Sequence, residues 1–306
     1  MPERYTIGII GARGHTGAEL TAILARHPYA EVVLAGSREL AGQPVPSIDG
    51  LSFESMAPDD VAARGLDALF LALPNGVGGP WSDVMSPDAV VVDISADHRF
   101  DDWVYGLTEL NREKISGARR IANPGCYATA IQLIVAPFLG ELDGVPVVFG
   151  ASGYSGAGTT PSPRNDPENL RDNLIPYTLT GHVHEAEATR HLGHAVRFMP
   201  HVHPAFRGLL VTAHLPVRDG MSAANAHDRL ADAYRSEALI DVQDEIPTLR
   251  DGAGRTGVVI GGTVLSEDGK GLTIVAAEDN LLKGAAVQAV QNMNLALGLP
   301  ETTGIL

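Results

Sequence analysis

The sequence of 306 residues has one cysteine, few aromatic side chains (5%) and no long hydrophobic run. A single cysteine excludes a disulfide framework within the chain and favours a reducing cytoplasm. Residues 1–5 lack the apolar core of a signal peptide, and no later run is long enough to cross a bilayer. We therefore expect a cytoplasmic protein.

Basic residues are scarce as well. The 22 lysines and arginines stand against 37 acidic residues, which gives a formal net charge of −15. This balance argues against a nucleic acid or an anionic membrane as the main partner, although it permits a local basic pocket for a phosphate. The length suits two domains of ordinary size, and the 44% hydrophobic content is enough for a large core.

The first part of the chain alternates short apolar runs with helical patterns. Residues 15–26 have the spacing of a helix that follows the first run. This alternation predicts an α/β domain with a parallel sheet that is covered on both faces. The predicted strands are residues 6–10, 31–35, 68–73, 90–94 and 146–150.

The pattern changes after the cysteine, where strands follow one another with a single good helix at residues 223–234. This order predicts an α+β domain with a mixed or antiparallel sheet. A last helix starts near Asp279 or Asn280, either of which is a suitable N-cap, and we expect it to return to the first domain. The predicted strands of this part are residues 196–199, 209–214, 258–264 and 272–276.

Three glycines follow the first strand and open the first helix. Gly11 permits a tight turn, Gly14 lets a pyrophosphate approach the backbone, and Gly17 allows close packing of helix and strand. The spacing G-x-x-G-x-x-G differs from the commoner G-x-G-x-x-G, and a glycine-rich turn without a ligand is the alternative. Because the turn opens a strand–helix–strand unit, the sequence predicts a dinucleotide site.

The end of the second strand indicates which dinucleotide binds. An NAD site usually has an acidic residue here for the ribose 2′-hydroxyl, but this strand is followed by Ser37 and Arg38. A hydroxyl and a guanidinium suit a 2′-phosphate, so we predict NADP(H), although Glu39 comes next. Residues Pro74, Asn75 and Gly76 end a later strand and are predicted to line the cofactor, unless they form an ordinary turn.

The cysteine, Cys126, follows a Pro-Gly pair and precedes an apolar helical run. This order predicts a strand, a tight turn and Cys126 in the first turn of a helix. Unpaired N–H groups and the positive end of the helix dipole favour the thiolate there and can stabilise an oxyanion. We predict that Cys126 is a nucleophile; the alternative is a buried, inert cysteine.

Five separated segments together carry a resemblance to a known family. The chain resembles the N-acetyl-γ-glutamyl-phosphate reductases, in the wider group that includes aspartate-semialdehyde dehydrogenase. The resemblance implies a Rossmann-type NADP domain of residues 1–125 plus 280–306, and a catalytic and oligomerisation α+β domain of residues 126–279. It also implies a homodimer or homotetramer. The segments are GARGHTG (11–17), DISADHRF (93–100), NPGCYAT (123–129), SGYSGAG (152–158) and DNLLKGAA (279–286).

The activity that this resemblance implies is the NADPH-dependent reduction of an acyl phosphate to an aldehyde in arginine biosynthesis. Cys126 would expel phosphate and form a thioester, which accepts hydride far better than a carboxylate does. A homologous substrate with one more methylene, the acetylaminoadipyl phosphate of lysine synthesis, is an alternative. One methylene contributes too little binding energy for the motifs to distinguish the two substrates. Aspartate-semialdehyde dehydrogenase and a non-catalytic NADP sensor are further alternatives.

Two His-x-His pairs compete for the role of general acid/base: His182 with His184, and His201 with His203. Alternating histidines on a strand share a face and could bind a metal, but the proposed chemistry needs none, so we predict no metal. The family pattern continues x-Pro-Glu-Ile after the first pair. Here Glu187 keeps the acid, whereas alanines flank it. We predict His184 as the acid/base, with His182 second.

The resemblance assigns further residues to the site. Arg99 is predicted to bind phosphate through its planar fork; the alternative is an ion pair with Asp97 or Asp101. Asn280 is predicted to reach the nicotinamide amide, unless it only caps the helix. Further predicted substrate or phosphate contacts are Asn123, Ser152, His201 and Arg207. Further predicted cofactor contacts are Arg13, His15, Thr16, Ser155 and Gly156.

Overall fold

The computed structural model describes residues 4–306, and it divides the chain into two compact units. The first unit runs to Gly125 and resumes with Ala285–Leu306, and the second unit is Cys126–Gly284. The sequence places the return to the first unit after residue 279, whereas the structure places it after Gly284. The expectation for residues 1–3 lies outside the described residues.

The first unit is built on a seven-stranded sheet in which every strand pair is parallel. The strands are β1 (Tyr5–Ile10), β2 (Ala30–Gly36), β3 (Phe53–Glu54), β4 (Ala68–Leu71), β5 (Val90–Asp93), β6 (Val104–Tyr105) and β7 (Arg120–Ala122). Their order is β3-β2-β1-β4-β5-β7-β6. Strands β4 and β5 are buried throughout, as expected for the centre of a parallel sheet, so the predicted α/β architecture is confirmed.

Helices connect these strands, and the last helix of the chain belongs to this unit. They are α1 (His15–Leu24), α2 (Pro58–Ala62), α3 (Gly79–Asp83), α4 (Thr108–Ile115) and the C-terminal helix (Val287–Ala296). The C-terminal helix packs on α1, α4 and β5, so the expected return is confirmed. Among residues 4–306, no helix is both long and apolar enough to span a membrane.

The second unit contains a mixed seven-stranded sheet. Its strands are β8 (Val147–Gly153), β9 (Ile175–Pro176), β10 (Arg197–His203), β11 (Leu209–Pro216), β12 (Ile240–Val242), β13 (Val258–Leu265) and β14 (Gly271–Glu278). Their order is β12-β13-β14-β11-β8-β10-β9, with parallel pairing of β8 with β10 and of β12 with β13. The mixed sheet is confirmed. The assignment of residues 146–150 to the first sheet was wrong, because this run is β8.

The helices of the second unit are α5 (Cys126–Val135), α6 (Pro167–Leu170), α7 (Val183–Leu192), α8 (Ala223–Tyr234) and α9 (Leu249–Gly252). Helix α8 has the predicted bounds. Helix α5 packs on β11, β14 and α7, and it is buried after its first residue. On β8, Val147 and Phe149 point to the other side and are 39% and 38% exposed. We call the sheet face that carries them the open face.

The predicted start of the last helix is resolved differently in the structure. A π-helical turn, Leu282–Ala286, precedes the C-terminal helix. The carboxylate of Asp279 accepts hydrogen bonds from the backbone N–H groups of Leu281 (2.9 Å) and Leu282 (3.2 Å). Asp279 is therefore the cap, and Asn280 is not.

Candidate active site

The glycine turn after β1 has the geometry that the spacing predicts. Gly11 has a φ of +85°, and a β-carbon there would lie 2.2 Å from the carbonyl oxygen of Ala72. A β-carbon on Gly17 would lie 2.4 Å from the carbonyl oxygen of Gly11. Both positions therefore require glycine, the first for its backbone conformation and the second for the close approach of α1 to β1.

Gly14 differs from the other two glycines because the space beside it is open. A β-carbon there would meet only the carbonyl oxygen of Gly11, at 3.4 Å. Gly14 is the N-cap of α1, and it has no side chain to bond the first N–H groups of that helix. His15 and Thr16 are the first two residues of α1. The positive end of the helix is thus accessible to an anion such as a pyrophosphate.

The residues after β2 suit a second phosphate. Ser37 is buried and accepts a hydrogen bond from the backbone N–H of Leu40 at 3.3 Å. Arg38 is exposed, and within residues 4–306 no carboxylate pairs with it. The neighbouring Glu39 binds the guanidinium of Arg13 at 2.6 Å. Glu39 is therefore occupied by Arg13, which leaves Arg38 for an anionic ligand.

The loop after β4 is held by the loop after β5. The side-chain oxygen of Asn75 accepts from the N–H of Ala96 (3.0 Å), and the N–H of Gly76 donates to the carboxylate of Asp97 (2.6 Å). These contacts fix the loop that contains Pro74 at the carboxyl edge of the sheet, where ligands of such folds bind. The cofactor role of Pro74, Asn75 and Gly76 stays a prediction.

Arg99 is buried and supports the backbone. Its guanidinium donates to the carbonyl oxygens of Asn123 (2.9 Å) and Ile94 (2.8 Å). Burial also raises the pKa of Asp93, whose carboxylate accepts from Ser95. The phosphate role of Arg99 stays a prediction.

The side chain of Asn123 is enclosed by protein partners. Its amide donates to the carbonyl oxygen of Ala285 at 3.2 Å, and its oxygen accepts from the amide of Asn292 at 3.0 Å. The amide of Asn292 also donates to Gly106, and the hydroxyl of Thr108 donates to Asn292. Asn123 thus belongs to a buried polar network that anchors the segment before Cys126, and its substrate role stays a prediction.

Cys126 is the first residue of α5 and is partly buried, as predicted from its sequence context. The first turn of α5 contains no acidic residue, so the helix dipole favours an anion there. A β-carbon built on Gly284 would lie 2.6 Å from the β-carbon of Cys126 and 2.9 Å from a carboxylate oxygen of Glu278. The cysteine is therefore packed closely against the π-helical turn.

Aromatic rings surround the residue that follows the cysteine. The hydroxyl of Tyr127 donates to the carbonyl oxygen of His201 at 2.7 Å, and its ring lies 4.7 Å from that of Phe198. Burial raises the pKa of Tyr127 well above its ordinary value. Burial and the charge of Cys126 likewise raise the pKa of Tyr177. Both phenols are therefore neutral hydrogen-bonding groups near neutral pH.

The first histidine pair lies at the start of α7 and not on a strand. His182 is the N-cap of α7, and its Nδ1 accepts from the N–H of His184 at 3.1 Å. The two rings lie 4.9 Å apart, and both lie near Tyr127. Burial, together with the charge of Arg164, lowers the pKa of His182 to about 4. His182 is consequently neutral at pH 7.

The structure also brings together four predicted residues of the serine-rich loop and the last turn. The amide of Asn280 donates to the hydroxyl of Ser155 at 2.9 Å, and its oxygen accepts from the N–H of Gly208 at 2.9 Å. A β-carbon on Gly156 would lie 3.3 Å from the hydroxyl of Ser152. Asn280 is therefore an anchor of this loop, and its contact with nicotinamide stays a prediction.

The second histidine pair lies on β10. The ring of His201 packs on Phe149 of the open face at 4.4 Å, whereas Phe198 packs on Tyr127 across the sheet. The structure thus does not bring His201 to the rings around Cys126. The guanidinium of Arg207 lies 3.5 Å from the buried carboxylate of Asp279. The substrate roles of His201 and Arg207 stay predictions.

Sequence reasoning missed four residues near the cysteine: Tyr177, Arg164, Glu278 and Gly284. Tyr177 and Arg164 lie in irregular chain where no periodicity or motif marks them. Gly284 was quoted only as part of a motif, and Glu278 directly precedes that motif. Within residues 4–306, no cluster of three or more potential metal ligands is found.

Comparison with known proteins agrees with this geometry. Residues 6–118 match the family model "semialdehyde dehydrogenase, NAD binding domain", and residues 126–280 match "semialdehyde dehydrogenase, dimerisation domain". Among solved structures, aspartate semialdehyde dehydrogenase II from Vibrio cholerae has a TM-score of 0.80 at 18% identity, covering 97% of this chain and 99% of that one. The NADP complex of the Candida albicans enzyme has a TM-score of 0.72 at 16% identity, covering 97% and 99%. These structures share the fold.

Curated relatives are much more similar in sequence. The N-acetyl-gamma-glutamyl-phosphate reductase of Stenotrophomonas maltophilia is 51% identical, and that of Xanthomonas oryzae is 50% identical, each over 98% of both chains. The reductase of Xylella fastidiosa is 49% identical over 98% of this chain and 95% of its own. The chain therefore belongs to the N-acetyl-gamma-glutamyl-phosphate reductase family of semialdehyde dehydrogenases.

Proposed function

We propose that the protein reduces N-acetyl-γ-glutamyl phosphate to N-acetylglutamate 5-semialdehyde and phosphate, with NADPH as the reductant, in arginine biosynthesis. The observation that carries this proposal is the position of Cys126 at the start of a buried helix, in the chain segment that precedes Tyr127 and its two histidine neighbours. The curated relatives at about half identity over nearly the whole chain support it.

The first unit fits a nicotinamide dinucleotide. The open side of Gly14 and the N-terminus of α1 suit the pyrophosphate, and the exposed guanidinium of Arg38 suits a ribose 2′-phosphate. When bound, NADPH supplies the hydride for the reduction. We therefore propose NADP(H), and not NAD(H), as the cofactor.

The sulfur of Cys126 performs the covalent step. Its thiolate attacks the acyl carbon, the C–S bond forms, and the C–O bond to phosphate breaks with its electron pair leaving on phosphate. The N–H groups of the first turn of α5 are the donors for the oxyanion of this step. After reduction of the thioester, the C–S bond breaks, the aldehyde is released and Cys126 regains its electron pair.

His184 is the better candidate for the acid/base. His182 uses Nδ1 to cap α7, and its pKa of about 4 makes it a poor proton acceptor at neutral pH. His184 lies next to it, 6.0 Å from the ring of Tyr127. We assign the proton transfer to His184, and we assign the orientation of α7 to His182.

The open face suits a second copy of the chain. Val147, Phe149 and the ring of His201 form an exposed apolar surface on the sheet of the unit that matches a dimerisation-domain model. Contiguous exposed apolar surface of this kind marks protein interfaces. We propose a homodimer through this face, which sedimentation of wild type and of Phe149→Glu would test: the variant should sediment as a smaller species.

The assay for the function runs in the oxidative direction. Purified protein is given NADP, phosphate and either N-acetylglutamate 5-semialdehyde or its homologue with one more methylene, and NADPH formation is followed. Phosphate-dependent turnover of the shorter aldehyde supports the proposal. Preference for the longer aldehyde would indicate lysine synthesis, and NADPH binding without turnover would indicate a sensor.

A further inference from the structure

Arg164, a cationic side chain of the second unit, packs on one of the aromatic rings near Cys126 and has no role in the mechanism above. The guanidinium carbon of Arg164 lies 4.8 Å from the centroid of the Tyr177 ring, a cation–π geometry. Arg164 is half-buried and lies in irregular chain just before α6. The Tyr177 ring therefore supports the guanidinium through a cation–π contact.

The charge of Arg164 has no carboxylate partner within residues 4–306, and the acids near it in sequence or space are engaged elsewhere. Asp166 caps α6 through the N–H of Glu168 (3.1 Å), and Glu168 binds Arg171 (2.5 Å). Glu185 accepts from the N–H groups of Phe198 (2.8 Å) and Gly181 (3.3 Å). In a protein with a net charge of −15, an arginine left without an acid is suited to an anionic ligand.

The rings connect Arg164 to the reactive residue. The ring centroid of Tyr177 lies 5.5 Å from that of His182. The ring centroid of His182 lies 6.4 Å from that of Tyr127, the residue that follows Cys126. The electrostatic effects follow the same residues. The charge of Arg164 lowers the pKa values of Tyr177 and His182, whereas the charge of Cys126 raises those of Tyr127 and Tyr177. Tyr177 and His182 therefore link the guanidinium of Arg164 to Tyr127, the residue that follows Cys126.

We propose that Arg164 binds the α-carboxylate of the acylamino acid substrate. This assignment rests on the proposed function, whose substrate carries two anionic groups. The phosphate is attached to the carbon that the sulfur attacks, so it must bind at the sulfur. The α-carboxylate is at the other end of the carbon chain, and a planar carboxylate matches the guanidinium fork. The homologue with one more methylene carries the same carboxylate.

The test compares Arg164→Gln with Arg171→Gln, a matched variant that removes the same charge from an exposed arginine paired to Glu168. In the oxidative assay, Arg164→Gln should raise the KM for the semialdehyde about 10- to 100-fold, the range expected for a lost charged hydrogen bond. The KM for phosphate should stay within about twofold. Arg171→Gln should leave both constants unchanged, and Arg164→Lys should restore part of the affinity.

An aldehyde without the α-carboxylate, 4-acetamidobutanal, separates the two anions. Wild type should prefer the natural semialdehyde over this analogue, and Arg164→Gln should lose most of that preference. A rise in the KM for phosphate alone would show that Arg164 binds the leaving group. Constants equal to those of Arg171→Gln would show that Arg164 only packs on Tyr177. Either result overturns the proposal.

A second measurement distinguishes this proposal from the proposed function. N-acetylglutamate should protect Cys126 of the wild type from iodoacetamide better than 4-acetamidobutyrate, which lacks the α-carboxylate. Arg164→Gln should abolish the difference. If the semialdehyde is not turned over but this difference is seen, the proposed reaction fails and the carboxylate site stands. Equal protection by both compounds in the wild type would remove the site.

Discussion

Gly284 and Cys126 are in such close contact that no other residue type fits at position 284. A β-carbon on Gly284 would lie 2.6 Å from the β-carbon of Cys126, shorter than carbon atoms approach in proteins. The same β-carbon would lie 2.9 Å from the carboxylate of Glu278, which is fully buried. Cys126 and the carboxylate of Glu278 thus both lie against the space left by the missing side chain of Gly284, a residue of the π-helical turn.

Gly284→Ala should impair the reaction and the stability together. The added methyl must displace the β-carbon of Cys126, and overpacking of this kind costs about 1–3 kcal/mol. We expect the free energy of unfolding in urea to fall by this amount and kcat to fall at least about tenfold, since small misplacement of a nucleophile is costly. Gly140→Ala is the control, because a β-carbon there meets nothing within 4 Å. Equal kinetics for the two variants would disprove the contact.

Cys126→Ser should abolish turnover while NADPH binding is retained. A hydroxyl at this position is a far weaker nucleophile than a thiolate, whereas the glycine turn proposed to bind the cofactor is unchanged. Turnover is measured in the oxidative assay, and NADPH binding by fluorescence. Wild-type Cys126 should also be alkylated faster than a free thiol near neutral pH. Residual activity of the serine variant above one-hundredth would contradict the covalent mechanism.

The sequence predicted the parts of the site that depend on local backbone chemistry. The roles of Gly11 and Gly17 follow from a tight turn and a close approach, and both need only a few neighbouring residues. The position of Cys126 likewise follows from a Pro-Gly turn before an apolar helix. Such features are encoded within a short stretch, so a single sequence reveals them.

Other parts depended on tertiary contacts and were missed or misread. His182 and His184 have the spacing of a strand, yet burial and capping place them at the start of α7. His201 lies on β10 as expected, but the phase of that strand turns its ring to the open face. Arg164 reaches Tyr177 only because β9 is placed beside β10. No periodicity of the sequence records these relations.

The network that anchors Asn123 predicts an effect of the distant Asn292. Asn292→Leu removes three buried hydrogen bonds: those that its amide donates to Asn123 (3.0 Å) and Gly106 (2.9 Å), and the one that its oxygen accepts from Thr108 (3.3 Å). Unsatisfied buried groups cost about 1–3 kcal/mol each, so we expect the variant to unfold at a clearly lower urea concentration than the wild type. Because Asn123 lies three residues before Cys126 in the chain, kcat should also fall, while the Kd for NADPH should not change. An unchanged kcat in the folded variant would restrict the network to stability.

Arg38 is predicted to decide between NADP(H) and NAD(H). Arg38→Gln should weaken the binding of NADPH about tenfold or more and leave the binding of NADH unchanged, because only NADPH carries the 2′-phosphate. Arg26→Gln is the matched control, since Arg26 is also exposed and follows α1. Glu39→Gln should tighten NADPH, because Arg13 is then released from its ion pair. Equal weakening of both cofactors by Arg38→Gln would contradict the assignment.

The N-cap role of His182 predicts a specific pH dependence of stability. In the folded chain the pKa of His182 is about 4, whereas the ordinary pKa of a histidine is 6.5. Between these values the unfolded chain binds a proton that the folded His182 does not, so stability falls as the pH is lowered through this window. His182→Asn keeps an N-cap acceptor but removes the titration. Between pH 6.5 and 4, the slope of its free energy of unfolding against pH should therefore be smaller than that of the wild type, by the equivalent of up to about one proton.

Urea unfolding at several pH values measures this slope. His214→Asn, at an exposed position of β11, is the control and should keep the wild-type slope. Burial also lowers the pKa values of His27 and His203, so the variant should retain part of the acid sensitivity. If His184 is the acid/base, His182→Asn should leave the acidic limb of the kcat profile in place while His184→Asn removes turnover. If the acidic limb of the kcat profile moved to a different pH in His182→Asn, His182 would instead be the proton-transfer residue.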